Sequence, residues 1–179
     1  MKQILFVSLL VFILSNNLRS LASYNWNSVY NELVARHNTY RSKHKAGKLT
    51  TLSSLTSLAQ TVAKNNAAKG GLSHIKQTLS GQPVGQNLYA SGSSAGIGPT
   101  GNAIVDSWYK EINNYDFAKG ASKNGGVIGH FTQVVWASTK QIGCACATGR
   151  YGSMQGFYIC CDYYPAGNYQ GQYTKNVFK

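Results

Sequence analysis

All four cysteines of the chain lie between positions 144 and 161, as the C-x-C pair Cys144 and Cys146 and the adjacent pair Cys160 and Cys161. An even number of cysteines in an exported chain predicts disulfide bonds. A structural zinc site is the alternative, but these spacings differ from the C-x2-C pairs that are usual for zinc ligands. We therefore expect disulfides in this part of the chain. The sequence alone leaves all three pairings open.

The first residues predict an export signal rather than part of the fold. Lys2 precedes an apolar run over residues 4–14, and Ser20 and Ala22, on either side of Leu21, are small residues at the two positions that a signal peptidase recognises. The apolar run is too short to span a bilayer, and an uncleaved anchor or a buried helix is the alternative. We predict a signal peptide at residues 1–22, one secreted domain at residues 23–179 and no transmembrane segment.

Basic residues far outnumber acidic ones. The chain has 17 Lys and Arg against 5 Asp and Glu, and loss of Lys2 and Arg19 with the signal would leave a net charge of +10. Such an excess favours anionic surfaces such as lipid head groups or acidic polysaccharide. Solubility of a carboxylate-poor chain is the alternative. Because the basic residues are scattered rather than gathered in a dense run, nucleic acid is not an expected partner.

Three stretches have the apolar spacing of amphipathic helices. The first runs from a cap at Asn27 or Ser28 to about His44, the second covers residues 54–69, and the third covers residues 102–113. The glycine at position 70 supplies the left-handed stop of the second helix.

The second half of the chain changes to a strand pattern. Loops are expected at residues 80–101 and 114–129, the first with a short strand at 87–90. Three later stretches rich in β-branched, aromatic and cysteine residues predict strands: residues 131–137, 142–147 and 156–163. Early helices and late strands predict an α+β fold, or an α-β-α layering, rather than a parallel βαβ fold.

Few side chains are suited to acid–base or metal chemistry. His74 follows the second predicted helix, and His130 begins the strand region. Glu111 comes three residues after Trp108 and shares its helix face. Taken singly, a histidine in aromatic surroundings is more often structural, and a helix glutamate is more often solvated surface.

Several motifs together resemble one family. Residues 129–139, GHFTQVVWAST, resemble the first signature of the CAP superfamily, which comprises the cysteine-rich secretory, antigen 5 and pathogenesis-related 1 proteins. Residues 158–169, YICCDYYPAGNY, are similar to the second signature and depart from it at Asp162. The shorter motifs, in chain order, are H-N-x-x-R at residues 37–41, L-x-H ending at His74, G-Q-N-L at residues 85–88 and W-x-x-E ending at Glu111.

The resemblance implies a three-layer α-β-α sandwich with a central, mainly antiparallel sheet and an open cleft. In the family, two histidines and two glutamates line that cleft and often bind zinc or another divalent ion. His74, Glu111 and His130 match these positions, whereas the other glutamate position holds Gln86. Since glutamine is neutral and cannot serve as an anionic ligand, we expect at most a weak zinc site on His74 and His130. A hydrogen-bonded polar cleft without metal is the alternative.

The resemblance also implies a disulfide pairing. Cys144 and Cys161 match a cross-strand bridge of the family, and a second bridge between Cys146 and Cys160 is the simplest completion. Successive strand residues point to opposite faces, so Cys160 and Cys161 cannot both face one neighbour in a regular strand. A bulge or an exchange of partners is therefore an open alternative.

Three classes of function follow. The first is a non-enzymatic extracellular protein that binds a sterol or another lipid, or acts in defence or host interaction. The second is a binder of polyanions or membrane surfaces. The third is a metal-dependent peptidase with His130 or Glu111 as acid or base, although no serine or cysteine can be assigned as its nucleophile. Four aromatic residues near the motifs favour the first class, unless they build the core: Tyr109, Tyr115, Phe117 and Phe131.

Overall fold

The structure is a computed structural model that describes residues 24–179. The signal peptide predicted at residues 1–22 lies outside the described residues. Within residues 24–179, no helix has the length and apolar character needed to cross a membrane.

Helices and strands are numbered in chain order. The helices are α1 Trp26–Lys43, α2 Ser53–Lys69, α3 Gly101–Tyr109, α4 Gly129–Val135 and α5 Tyr173–Asn176, and a 3-10 helix covers Lys110–Asn114. The strands are β1 Thr50–Thr51, β2 Thr78–Leu79, β3 Gln82–Pro83, β4 Gly85–Ser93, β5 Tyr115–Asp116, β6 Ala121–Ser122, β7 Gln141–Tyr151 and β8 Met154–Tyr164.

A four-stranded sheet in the order β1-β7-β8-β4 forms the middle layer. β1 runs parallel to β7, and the β7–β8 and β8–β4 pairs are antiparallel. Helix α2 packs against β7 and β8, where Ala59 and Val62 meet Ala145 and Cys160. The other face carries α1, α3 and α4, whose buried residues share a core with Cys144 and Cys161. The predicted α-β-α sandwich with a mainly antiparallel sheet is confirmed.

One predicted disulfide is confirmed and the other is wrong. Cys144 and Cys161 are register partners and form the cross-strand bridge. Cys146 lies opposite Ile159, whereas Cys160 lies opposite Ala145, and both thiols are free. Because side chains alternate along a regular strand, these two sulfur atoms point to opposite faces of the sheet. Burial raises the pKa of Cys146 to about 12, which keeps its sulfur as an unreactive thiol.

The helix predictions are largely confirmed, and one strand prediction is wrong. α2 ends at Gly70, whose φ of 70° is the left-handed stop, whereas α1 is capped by Asn25 rather than by Asn27 or Ser28. Within the predicted strand 131–137, residues 131–135 form most of helix α4, and residues 136 and 137 follow its end. Their β-branched residues favour strands locally, but contacts at both helix ends override this preference.

A buried arginine satisfies the carboxyl end of α4. The side chain of Arg41 is fully buried. Its NH1 donates to the carbonyls of Val134 at 3.1 Å and Trp136 at 2.8 Å, and its NH2 donates to Thr139 O at 2.8 Å. Nε donates to Gly47 O at 2.6 Å. A positive charge at a helix carboxyl end also interacts favourably with the helix dipole.

We expect Arg41→Met to lower the free energy of unfolding by about 3 kcal/mol or more, because it leaves buried carbonyls without a donor. Urea denaturation measures the loss. The matched control is Arg36→Met, which breaks a surface ion pair in which Arg36 Nε lies 2.6 Å from Asp106 Oδ1. This variant should lower the free energy of unfolding by less than about 1 kcal/mol. Equal losses of unfolding free energy in the two variants would show that the buried hydrogen bonds of Arg41 do not stabilise the fold.

A second buried group, His37, links α1 to β8. Its Nδ1 donates to Leu33 O at 2.7 Å, and its Nε2 accepts from the Tyr163 hydroxyl at 2.8 Å. Burial lowers the pKa of His37 to about 4. The imidazole is therefore neutral in the folded protein at physiological pH.

Since the unfolded chain protonates His37 near pH 6.5 and the folded protein only near pH 4, stability is retained above pH 6.5. It is lost as the pH falls between these values, by up to about 3 kcal/mol. The variant His37→Gln should lose correspondingly less stability between pH 7 and pH 4, measured by urea titrations at each pH. Parallel curves for the two proteins would be inconsistent with a buried neutral imidazole.

Candidate functional site

The four histidines fall into two classes. Both ring nitrogens of His37 are hydrogen-bonded inside the protein, and so are those of His44, to Phe178 O and to the Tyr109 hydroxyl. His74 and His130 each use only Nδ1 in a hydrogen bond with another residue between 24 and 179. Only these two histidines therefore have an Nε2 that is left for a ligand.

His130 is paired with Glu111 at the amino end of α4. Glu111 Oε1 accepts from His130 Nδ1 at 2.6 Å, and Oε2 accepts from the backbone N–H groups of His130 at 2.9 Å and Phe131 at 3.2 Å. The carboxylate thus satisfies two free N–H groups of the first helical turn and orients the imidazole. The ring of Trp108 lies parallel to that of His130, with centroids 6.3 Å apart.

His74 is paired with Gln86, the second residue of β4. Gln86 Oε1 accepts from His74 Nδ1 at 2.9 Å and from Ile75 N at 3.3 Å. The amide nitrogen donates to Asp162 Oδ1 at 3.0 Å. His74 itself is exposed, so its Nε2 is open to solvent.

Both pairs attach to the start of β4, the outer strand of the sheet. Gln86 holds His74, and the next residue, Asn87, donates through Nδ2 to the backbone oxygen of His130 at 3.1 Å. Within residues 24–179, no hydrogen bond joins one pair to the other. The structure thus brings His74 to Gln86 and Glu111 to His130, and a cleft shared by all four side chains stays a prediction.

The donor set at these pairs is small. In the described part of the chain, no three His, Cys, Asp or Glu side chains gather closely enough to hold a metal ion. A cation held by both Nε2 atoms would need water for its other positions.

Sequence reasoning missed the part played by Asp162. In the sequence Asp162 stands out only as a departure from a motif, yet the structure places it opposite Gln86 in the β4–β8 register. It is fully buried, and burial raises the pKa of Asp162 to about 6. The signal that could have found it is an acidic residue near the end of a strand whose other residues are mostly apolar.

Comparison with known proteins gives one family. The sequence profile of the cysteine-rich secretory protein family (CAP) matches residues 34–163. Protein PRY2 of Saccharomyces cerevisiae is 41% identical over 147 residues, which cover 81% of this chain and 40% of the yeast protein. The human Golgi-associated plant pathogenesis-related protein 1 is 35% identical over 150 residues, covering 83% and 91%.

Solved structures of low sequence identity share the fold. MpPR-1i has a TM-score of 0.60 at 19% identity and covers 88% of this chain and 100% of its own. NaASP2 with Zn²⁺ has a TM-score of 0.59 at 23% identity and covers 85% of each chain. With both signature segments, the cross-strand disulfide and the three-layer sandwich in place, this chain belongs to the CAP, or cysteine-rich secretory protein, family.

Proposed function

We propose that this protein is a secreted, non-enzymatic binding protein that takes a sterol or another lipid, and that it also holds a divalent cation weakly. The disulfide suits an oxidising compartment. The observation that carries the lipid proposal is an apolar groove whose lining includes Gln77, a residue with one buried, unpartnered side-chain acceptor.

The groove lies between α2 and the β2–β3 hairpin and has a volume of about 630 Å³, within the range of small-molecule sites. Leu58, Pro83 and Val84 supply its apolar wall, and Lys76 supplies a positive charge at its rim. Gln77 Nε2 donates to Leu58 O at 3.1 Å. Its Oε1 is buried without a partner among residues 24–179. An apolar ligand with one hydroxyl group would satisfy that oxygen once the Gln77 side chain turns it toward the groove.

The histidine pairs favour binding over hydrolysis. Both carboxylate oxygens of Glu111 are engaged by α4 and His130, so this group is not free to take a proton from water. Among residues 24–179, neither His74 nor His130 forms a hydrogen bond to a serine, threonine or cysteine that could act as a nucleophile.

Cation binding is a second candidate, supported by the two open Nε2 atoms. Each Nδ1 is bonded to an oxygen acceptor, which is the usual outer arrangement of a histidine that ligates a metal. Gln86 is neutral, so the site lacks the charge of a second carboxylate and should bind weakly. The solved structure of NaASP2 contains Zn²⁺, which makes zinc the first ion to test.

Val84→Asp should weaken binding of cholesterol sulfate at least about tenfold, because it places a charge in the apolar wall. Isothermal titration measures the affinity. The control is Val127→Asp, since Val127 is 62% exposed and lies on a loop outside the groove. The lipid proposal fails if the wild type shows no saturable binding of cholesterol sulfate or palmitate, or if Val84→Asp binds as tightly as the wild type.

His74→Ala and His130→Ala should each weaken zinc binding about tenfold or more, because each removes one of two protein ligands. Titration with zinc chloride measures the effect. The control is Lys76→Ala, which changes an exposed residue close to His74 in the chain and removes no imidazole. Zinc affinity that survives removal of both imidazoles would place the ion elsewhere.

A further inference from the structure

A continuous line of hydrogen bonds runs from the buried interior to the exposed His74. It begins at Asp162 in β8, passes through the Gln86 amide in β4 and ends at His74 Nδ1. Asp162 Oδ1 also accepts from the Cys160 thiol at 3.4 Å, while its Oδ2 is buried with no partner among residues 24–179. A buried carboxylate with an unpartnered oxygen lowers the stability of a fold. We therefore expect Asp162 to have a role other than stabilisation.

The carboxylate makes the shortest of the three contacts that orient the Gln86 amide, at 3.0 Å, and the other two are longer contacts with the backbone of Ile75 at 3.3 and 3.5 Å. Burial raises the pKa of Asp162 to about 6, so the group is ionised at pH 7.5 and can only accept hydrogen bonds. Gln86 therefore turns its NH₂ group toward Asp162, and the same Nε2 also donates to Ile75 O at 3.5 Å. Its carbonyl oxygen then faces the other way, toward His74 and the N–H of Ile75.

The amide in turn decides where the proton of His74 sits. Because Gln86 Oε1 can only accept, His74 Nδ1 must donate, and the neutral ring then carries its lone pair on Nε2. An unconstrained neutral histidine prefers the opposite form, with the proton on Nε2. Glu111 likewise places the proton of His130 on Nδ1, through a direct hydrogen bond of 2.6 Å. At His74 the carboxylate is that of Asp162, and the Gln86 side chain lies between the two.

We propose that Asp162 is a positioning residue of the histidine site. Its carboxylate orients the Gln86 amide, and the amide fixes His74 with the proton on Nδ1 and an open Nε2 that faces solvent. That this Nε2 serves a cation rests on the proposed function; the proton position itself does not.

Nitrogen-15 NMR of histidine-labelled protein at pH 7.5, without metal, tests the proposal directly. The wild type should show His74 mainly as the Nδ1–H form. In Asp162→Asn, residue 162 can offer either its oxygen or its nitrogen to Gln86, so the ratio of Nδ1–H to Nε2–H should fall about fivefold, the equivalent of one neutral hydrogen bond. The double variant Gln86→Glu/Asp162→Asn places the acceptor-only group at position 86 and should restore the wild-type ratio.

Cys160→Ser is the matched control, because it changes β8 beside Asp162 and retains a donor to Oδ1. It should leave the His74 ratio unchanged, and His130 should stay in its Nδ1–H form in every variant. The proposal is overturned by a wild-type His74 that is mainly Nε2–H, by an unchanged ratio in Asp162→Asn, or by an equal fall in Cys160→Ser. Because the NMR measurement is made without zinc, its result can be interpreted even if the cation proposal fails.

Discussion

The arrangement of the site depends on a helix of 7 residues, Gly129–Val135, that is held at both ends by charged side chains from elsewhere. Glu111 accepts from N–H groups of its first turn, and Arg41 donates to carbonyls at its last turn. Each charge has the sign that the helix dipole favours at that end. A helix this short is unstable alone, so these contacts, together with burial of Phe131 and Val134, are what fix it.

Side chains of this helix join the first signature segment, residues 129–139, to the second, residues 158–169. Gln133 accepts from Gly167 N at 2.9 Å, and a Cβ at Gly85 or at Gly167 would overlap its amide. Thr132 donates to Asn168 Oδ1 at 2.6 Å. The second signature and the start of β4 are thereby packed against α4. His130 and the residues that hold His74 are thus parts of one rigid assembly rather than independent loops.

The sequence predicts those features of the fold that depend on residues close together in the chain. The sequence predicts the second helix to within one residue because apolar spacing and Gly70 both mark it, and the layered fold follows from the motif resemblance. The sequence predicts a strand where helix α4 lies because the β-branched residues favour strands, while the partners that stabilise the helix are distant in sequence. The Cys146–Cys160 bridge failed for a related reason, since register decides which face each sulfur occupies. The role of Asp162 likewise depends on a cross-strand neighbour, Gln86, that spacing does not reveal.

Native-state hydrogen exchange tests most directly whether Glu111 and Arg41 stabilise the two ends of helix α4. The N–H groups of His130 and Phe131 lie in a first helical turn, where amides without partners exchange almost as fast as in an unfolded peptide. If Glu111 accepts from both, they should exchange as slowly as amides in the middle of α2. Rapid exchange at these two positions, while α2 stays protected, would contradict the view that Glu111 and Arg41 together fix the helix that carries His130.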